Sequence, residues 1–456
     1  MKLYKIYKRH NWLKIFLFCL MHSMNNMNMG LLIREIKLLR YFWLLIVLCT
    51  SFPACAVLDI EITGAGEHQI PVSIVPFEGE NNLTQSISGI VSSDLTRSGL
   101  FRLIDPAGKS PHEPSEVVYA NWAGADALAI GHVEILPNGR ITVKFRLLDA
   151  VRQTELIGQA VSGKSEQIRA IAHRIADMIF EKLTGDPGVF STRIVYVNRQ
   201  GKNNRLVVAD SDGYDEQIVL ATSSHIMSPA WSPDGSHLAY VTFEQGHAVV
   251  YVQSVLTNQR LVVSKSRGSS SAPTWSPDGR QLAIVLTRDG NSHIYLVRPD
   301  GKDLRQITFG DVIDTEPNFS PDGQSLIFAS DRGGSVQAYQ MPADGRAAER
   351  LTFEGGNNFS PRYSPDGKSF VFSDWNNGKF YIATEDFQTK QMQVLTNGGW
   401  EKKPSFAPNG KLILFATESN GQGILATVSS DGRVKQKMSP QAGDILDPMW
   451  GPMLKQ

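Results

Sequence analysis

The sequence predicts a two-domain protein, an N-terminal α/β domain followed by an all-β six-bladed β-propeller closed by a C-terminal strand. Three observations predict it. First, Pro-x-aromatic-Ser-Pro-Asp-Gly recurs at residues 229–235, 273–279, 317–323 and 361–367, with weaker copies at 404–410 and 448–452. The leading prolines lie 44, 44, 44, 43 and 44 residues apart, a period that belongs to propellers and other repeat arrays. Second, three strand-like runs (193–198, 205–210, 216–221) precede the first motif, and one (447–450) follows the last full repeat. Together they make a sixth blade, and joining the two ends of the chain leaves the ring without open sheet edges. Third, residues 57–187 ignore the period and mix strand-like and helix-like patterns.

Within a repeat, the aromatic (Trp231, Trp275, Phe319, Tyr363, Phe406) sits on the inner strand. Ser-Pro-Asp-Gly then turns tightly, with proline pre-setting φ and glycine accepting positive φ. An alternating apolar strand follows, as at 238–243 and 326–330, then a third strand such as 248–253 or 293–298. A turn, often Asp-Gly (Asp300-Gly301, Asp344-Gly345, Asp431-Gly432), leads to a short fourth strand. Asp210-Ser-Asp-Gly-Tyr-Asp215 resembles part of a calcium loop. Asp212-Gly213 nevertheless falls two periods before Asp300-Gly301, so it is read as the ordinary third turn of its blade.

Before the repeats, residues 1–56 read as a leader with a cleavable signal peptide. Arg34, Lys37 and Arg40 form its basic region, 41–49 its apolar core and Ala54-Cys55-Ala56 its cleavage site, giving a mature start at Val57. Met21, Met24, Met27 and Met29 offer later starts, so translation is expected to begin after Met1. The apolar core is too short to span a bilayer. Cys19, Cys49 and Cys55 all precede the cleavage point, so the mature chain has no disulfide and no thiolate metal site. The leader holds eight Lys/Arg and one acid, leaving 37 basic and 44 acidic residues beyond it. That balance argues against nucleic acid or an anionic membrane as the main partner.

The N-terminal domain is assigned 57–187, and the propeller 188–456. In the former, 58–63 and 70–76 read as strands and 83–99 as a helix stopped by Gly99. Residues 101–104 read as a strand and 114–123 as a helix. Residues 127–135 and 140–149 pair through Pro137-Asn138-Gly139, and 156–161 adds a strand. Residues 165–183 form an amphipathic helix with Ile168, Ile171, Ile175 and Ile179 on one side.

The sequence carries no G-x-S-x-G elbow, H-E-x-x-H, P-loop or dinucleotide fingerprint. The eight histidines after the leader lack metal-ligand spacing. An enzyme would need paired acids converging on the channel, for which only Asp314, Glu316, Glu401, Asp444 and Asp447 are candidates. Topology places all Ser-Pro-Asp-Gly turns on one face of the ring, the turn face. The variable loops leading into the inner strands lie on the other, the loop face. Variable loops on a rigid scaffold are where recognition sits.

The combination resembles the TolB family, the periplasmic propeller component of the Tol–Pal system. The resemblance covers 57–456 and is closest at Ile74-Val-Pro-Phe77, Ile90-Val-Ser-Ser-Asp-Leu95, Glu181-Lys-Leu-Thr-Gly185, 227–235, 238–244 and Thr315-Glu-Pro317. It implies a non-catalytic interaction platform that maintains outer-membrane integrity and aids its invagination at division. The Pal lipoprotein is expected on the loop face, at Met227, Ser228, Ser271, Ala272, Thr315, Glu316, Asn358, Phe359, Lys403 and Asp447. TolA is expected at the mature N-terminus, at Val57, Leu58, Asp59, Ile60, Glu61 and Ile62. This segment alternates apolar and polar residues, so it can pair with a sheet edge of its own domain or of a partner. No cofactor is implied. A calcium ion in the channel is left open, because channels gather carbonyls and carboxylates.

Overall fold

A computed structural model describes residues 59–62, 69–264, 268–288, 290–438 and 442–453. The leader, its cleavage site, Val57 and Leu58 lie outside the described residues. The elements before the propeller are β1 (Asp59–Ile62), β2 (Ile70–Ile74), α1 (Ile87–Arg97) and β3 (Phe101–Leu103). They continue with β4 (Ala127–Ile135), β5 (Arg140–Asp149), β6 (Thr154–Lys164) and α2 (Ile168–Thr184). Five of these strands form a mixed sheet in the order β3-β2-β4-β5-β6. β2 runs parallel to β3 and β4, and the β4–β5–β6 meander is antiparallel. The apolar stripe of α2 (Ile171, Ile175, Ile179) and that of α1 (Val91, Leu95) bury against Val72, Phe145 and Leu147 of the sheet. Trp122, Ile130 and Leu148 fill a smaller cluster with Val75 and Leu128.

Three expectations for this domain are corrected. The first helix begins at Ile87, not at 83, because the Ser86 hydroxyl accepts the Gly89 N–H at 3.0 Å and caps it. Residues 114–123 form two 3₁₀ turns, Pro114–Glu116 and Tyr119–Trp122, rather than a helix. That segment has no apolar stripe, and Val118 is exposed. β1 leaves its own domain and pairs antiparallel with Val434–Lys437 of the propeller.

From Arg193 onward the chain forms six four-stranded sheets. Blades one to four begin with inner strands Ile226–Trp231, Ser269–Trp275, Asp314–Phe319 and Asn357–Tyr363. Blade five begins with Lys402–Phe406, and β1 lies on its outer edge. Blade six joins the C-terminal strand Asp444–Trp450 to Arg193–Gln200, Asn203–Asp210 and Gln217–Thr222. The closing pair runs antiparallel, with Gly451 N–H donating to the Arg193 carbonyl at 2.7 Å. Apolar side chains fill the gaps between blades, as Val241 and Val250 of blade one do against Ile284 and Leu286 of blade two.

The Ser-Pro-Asp-Gly turns are self-contained. In each, the serine hydroxyl donates to the aspartate (2.6, 2.6, 2.5 and 2.6 Å at Ser232, Ser276, Ser320 and Ser364). The same aspartate accepts the N–H two residues on. These hydrogen bonds, led by Ser232, hold the Asp234 carboxyl at about 2 against a smaller opposing effect of burial. Turn-face residues of all six inner strands line a central opening of about 320 Å³. Among the described residues, no helix is long and apolar enough to cross a membrane.

Candidate interaction site at the channel mouth

The six inner strands carry one irregularity each, at the same place in the repeat. Their pairing register shifts between Met227 and Ala230, Ser271 and Thr274, and Thr315 and Asn318. It shifts likewise between Phe359 and Arg362, Lys402 and Ser405, and Leu446 and Met449. These are β-bulges, and each ends at the motif proline, which has no N–H for the ladder. The bulged residue has positive φ in every case: Ser228 51°, Ala272 45°, Glu316 55°, Ser360 52°, Lys403 56° and Asp447 47°. A non-glycine residue held there costs about 1–2 kcal/mol. Six such residues in one ring mark a place where local strain is kept for another purpose.

The sequence reading assigned these residues to loops. The structure places them within the strands instead, where the bulge re-aims each one relative to its neighbours. Ser228, Ala272, Glu316, Lys403 and Asp447 are bulge residues, while Met227, Ser271, Thr315 and Phe359 immediately precede one. Asn358 is different. It is buried and donates to Gln337 Oε1 of blade three at 2.9 Å, so it tethers two blades instead of facing the mouth.

Charges bind the ring together across blades. Glu316 of blade three accepts the Ser360 N–H at 2.7 Å and the Ser360 hydroxyl at 2.8 Å from blade four. It also pairs with the Lys403 ammonium of blade five. Asp447 of blade six accepts the Ser228 N–H of blade one at 2.8 Å. Burial pushes the Glu316 carboxyl up, but Lys403 and Ser360 outweigh it, so it titrates below the ordinary glutamate range. Burial likewise pushes Lys403 down, and Glu316 with Asp447 reverses the effect. Arg362 adds a second cation facing both carboxylates, lowered mainly by burial. Sequence reasoning missed Arg362, although its place in the motif, one residue before the aromatic, puts it on the channel.

Exposed apolar side chains stand at the start of the inner strands on this face and in the segments that lead to them. Met227 is 38% exposed, Ile313 46%, Trp400 56%, Phe309 65% and Phe353 73%. Blade four adds an aromatic cluster in which Phe380 packs against Phe359 (6.1 Å), Trp375 (4.6 Å) and Trp400 (6.3 Å). The Lys402 ammonium stands over Phe380 at 4.4 Å and over Trp400 at 4.2 Å. Trp375 and Phe380 went unnoticed in the sequence, because they flank the hairpin tip Asn377-Gly378 rather than a loop leading into an inner strand.

The five carboxylates weighed as catalytic do not form a free pair. Arg332 holds Asp314 with both oxygens at 2.7 and 2.8 Å. Glu401 takes the Thr396 hydroxyl, and Asp444 pairs with Arg199 at 3.1 Å. Glu316 and Asp447 are engaged as described. The N-terminal segment lies elsewhere, on the outer edge of blade five. Its register sets Asp59 opposite Lys437, Ile60 opposite Gln436, Glu61 opposite Lys435 and Ile62 opposite Val434.

Comparison with known proteins agrees with this architecture. The profile of the TolB amino-terminal domain matches residues 58–156, and that of the TolB beta propeller domain matches 180–454. The Tol-Pal system protein TolB of Nitrosomonas europaea is 58% identical over 414 residues, covering 90% of this chain and 97% of that protein. That of Aromatoleum aromaticum is 61% identical over 411 residues, covering 89% and 96%. The crystal structure of TolB from Acinetobacter baumannii, 32% identical, superposes with a TM-score of 0.79 over 87% of this chain and all of that one. With both domain profiles matched in order and the relative from Nitrosomonas europaea covered almost end to end, the chain belongs to the TolB family of the Tol–Pal system.

Proposed function

We propose that this chain is a non-catalytic, periplasmic interaction platform that binds Pal on the loop face of the propeller and TolA through its N-terminal segment. In this role it maintains outer-membrane integrity and aids invagination of that membrane at division. The observation that carries the reading is the channel mouth. A rigid ring of cross-blade charges shares its face of the propeller with exposed aromatic and aliphatic side chains, the polar and apolar parts that a binding hot spot combines. Family membership supports the choice of partners. The N-terminal segment suits a strand-adding partner, because it already docks as an edge strand and can exchange one edge for another.

The reading needs neither cofactor nor bond chemistry. Glu316 and Asp447 are the carboxylates a channel calcium ion would use, but Lys403 and Arg362 already supply their counter-charge. A basic or polar segment of a protein partner, exchanging with those cations, fits better. Titrating purified Pal and the periplasmic domain of TolA into the mature chain tests the reading. Binding of both, with residues 57–66 needed for TolA alone, is the expected result. Pal binding unaffected by changes around the whole mouth would end it.

A further inference from the structure

The joint between the two domains is built of charge. The turn 210–213 of blade six reaches α1 and α2 of the N-terminal domain. Three carboxylates meet there, Asp94 of α1 and Asp210 and Asp212 of the turn. Three nitrogenous groups face them, Arg97 of α1 and Arg169 and His173 of α2. Arg97 Nη2 donates to Asp94 Oδ1 at 2.9 Å and to Ser211 Oγ at 3.3 Å, and its Nη1 stands 3.7 Å from Asp212 Oδ2. Arg169 pairs with Asp212, lies 3.5 Å from Asp210 and covers the Tyr214 ring at 4.4 Å. Asp177, farther along α2, accepts the Phe190 and Ser191 N–H groups at 2.7 and 3.1 Å and ties down the linker.

His173 sits at the centre and is 1% exposed. Its Nδ1 is 2.6 Å from Asp94 Oδ2, and its Nε2 lies 3.4 Å from Arg169 Nη2 and 3.6 and 3.8 Å from Asp210 and Asp212. One ring therefore spans a carboxylate of its own domain and two of the other. Only the imidazolium donates from both nitrogens. With the ring charged, the three acids around it face three cations, while Asp177, a fourth carboxylate, acts on Arg97 and Asp94 from farther along α2. With the ring neutral, the buried joint carries one more unmatched negative charge, which is costly. Asp94, His173 and Asp212 place ligand atoms within 4.8 Å of one another, as a metal site would. Both guanidinium groups already approach Asp212 Oδ2, so arginine stands where a metal ion would have to sit.

We propose that His173 is a proton-operated latch between the domains: charged, it clamps the 210–213 turn onto α1 and α2, and neutral, it releases that turn and frees the domains to move about the 185–188 linker. Burial pushes the ring down, but the Asp210 and Asp94 carboxylates beside its two nitrogens more than reverse it, so it titrates above its ordinary value. The sign follows. The clamp is complete below the ordinary histidine value of about 6.5 and is lost as pH rises through the higher folded-state value.

The test uses the full mature chain with carbon-13-labelled histidine, followed by NMR and by hydrogen exchange from pH 5 to 9, corrected for intrinsic exchange. The His173 ring should titrate above the exposed histidines. As it does, amides in 188–192 and 210–214 should exchange at least tenfold faster, while those of the β5 core stay constant. In His173→Gln the joint amides should exchange fast at every pH. A ring that keeps one state from pH 5 to 9, joint exchange that ignores its titration, or a His173→Gln chain keeping the wild-type pH profile would each overturn the latch. Asp210→Asn, which leaves the ring in place, should shift the loosening to lower pH, and an unmoved profile would count equally against it.

Discussion

The two mouths of the propeller channel are made from the same strands, a few residues apart in every repeat, yet they are built on opposite terms. At the turn face, each Ser-Pro-Asp-Gly satisfies its own polar groups and repeats almost unchanged in four of the six blades. At the loop face, the bulged residues are two serines, two carboxylates, a lysine and an alanine, and their charges reach across to other blades. One end closes the blades. The other keeps strain, charge and exposed aromatics that closure does not need. Where local polar groups are self-satisfied, a change costs stability. Where they depend on a neighbouring blade, a change alters what the ring can bind.

That contrast can be broken at several points. The largest effect is expected from Glu316→Lys, which sets three cations together at the mouth. Pal affinity should fall at least about 100-fold, on the order of 3 kcal/mol, in calorimetric titration. Next, Trp400→Ala removes an exposed anchor and should weaken Pal roughly tenfold without shifting the melting temperature. Asp322→Ala at the turn face should do the reverse, costing about 1 kcal/mol in urea unfolding and leaving Pal affinity within about twofold. Acid should reach the two mouths in the same direction. Glu316 and Asp234 both have depressed values, so each contributes stability above its unfolded value that is lost as pH falls through the folded one. Glu316→Gln should therefore flatten part of the acid limb of the melting-temperature profile. The smallest effect is expected at Ala272, where φ is 45°. Ala272→Gly relieves that strain and should stabilise by about 0.5 kcal/mol, with Pal binding little changed. A destabilised chain would mean the bulge is not strained.

Sequence alone determined the ring. A 44-residue period, a turn whose glycines need positive φ and four alternating strands per unit are local properties, and counting orphan strands at the two ends was enough to close six blades. It also picked out most of the mouth, because the bulge falls at a fixed distance before each motif proline. What it could not determine were pairings set by distance in space. Nothing local says that Glu316 meets Lys403 two blades on, that Trp375 and Phe380 join Trp400, or that β1 lies on blade five. The Asp-Gly turn of blade six reads like its siblings in sequence, and only the packing of α1 and α2 against it turns Asp210 and Asp212 into partners of His173. Period and turn chemistry act over a few residues and are written along the chain, whereas the charge of a buried group depends on which neighbours folding delivers to it.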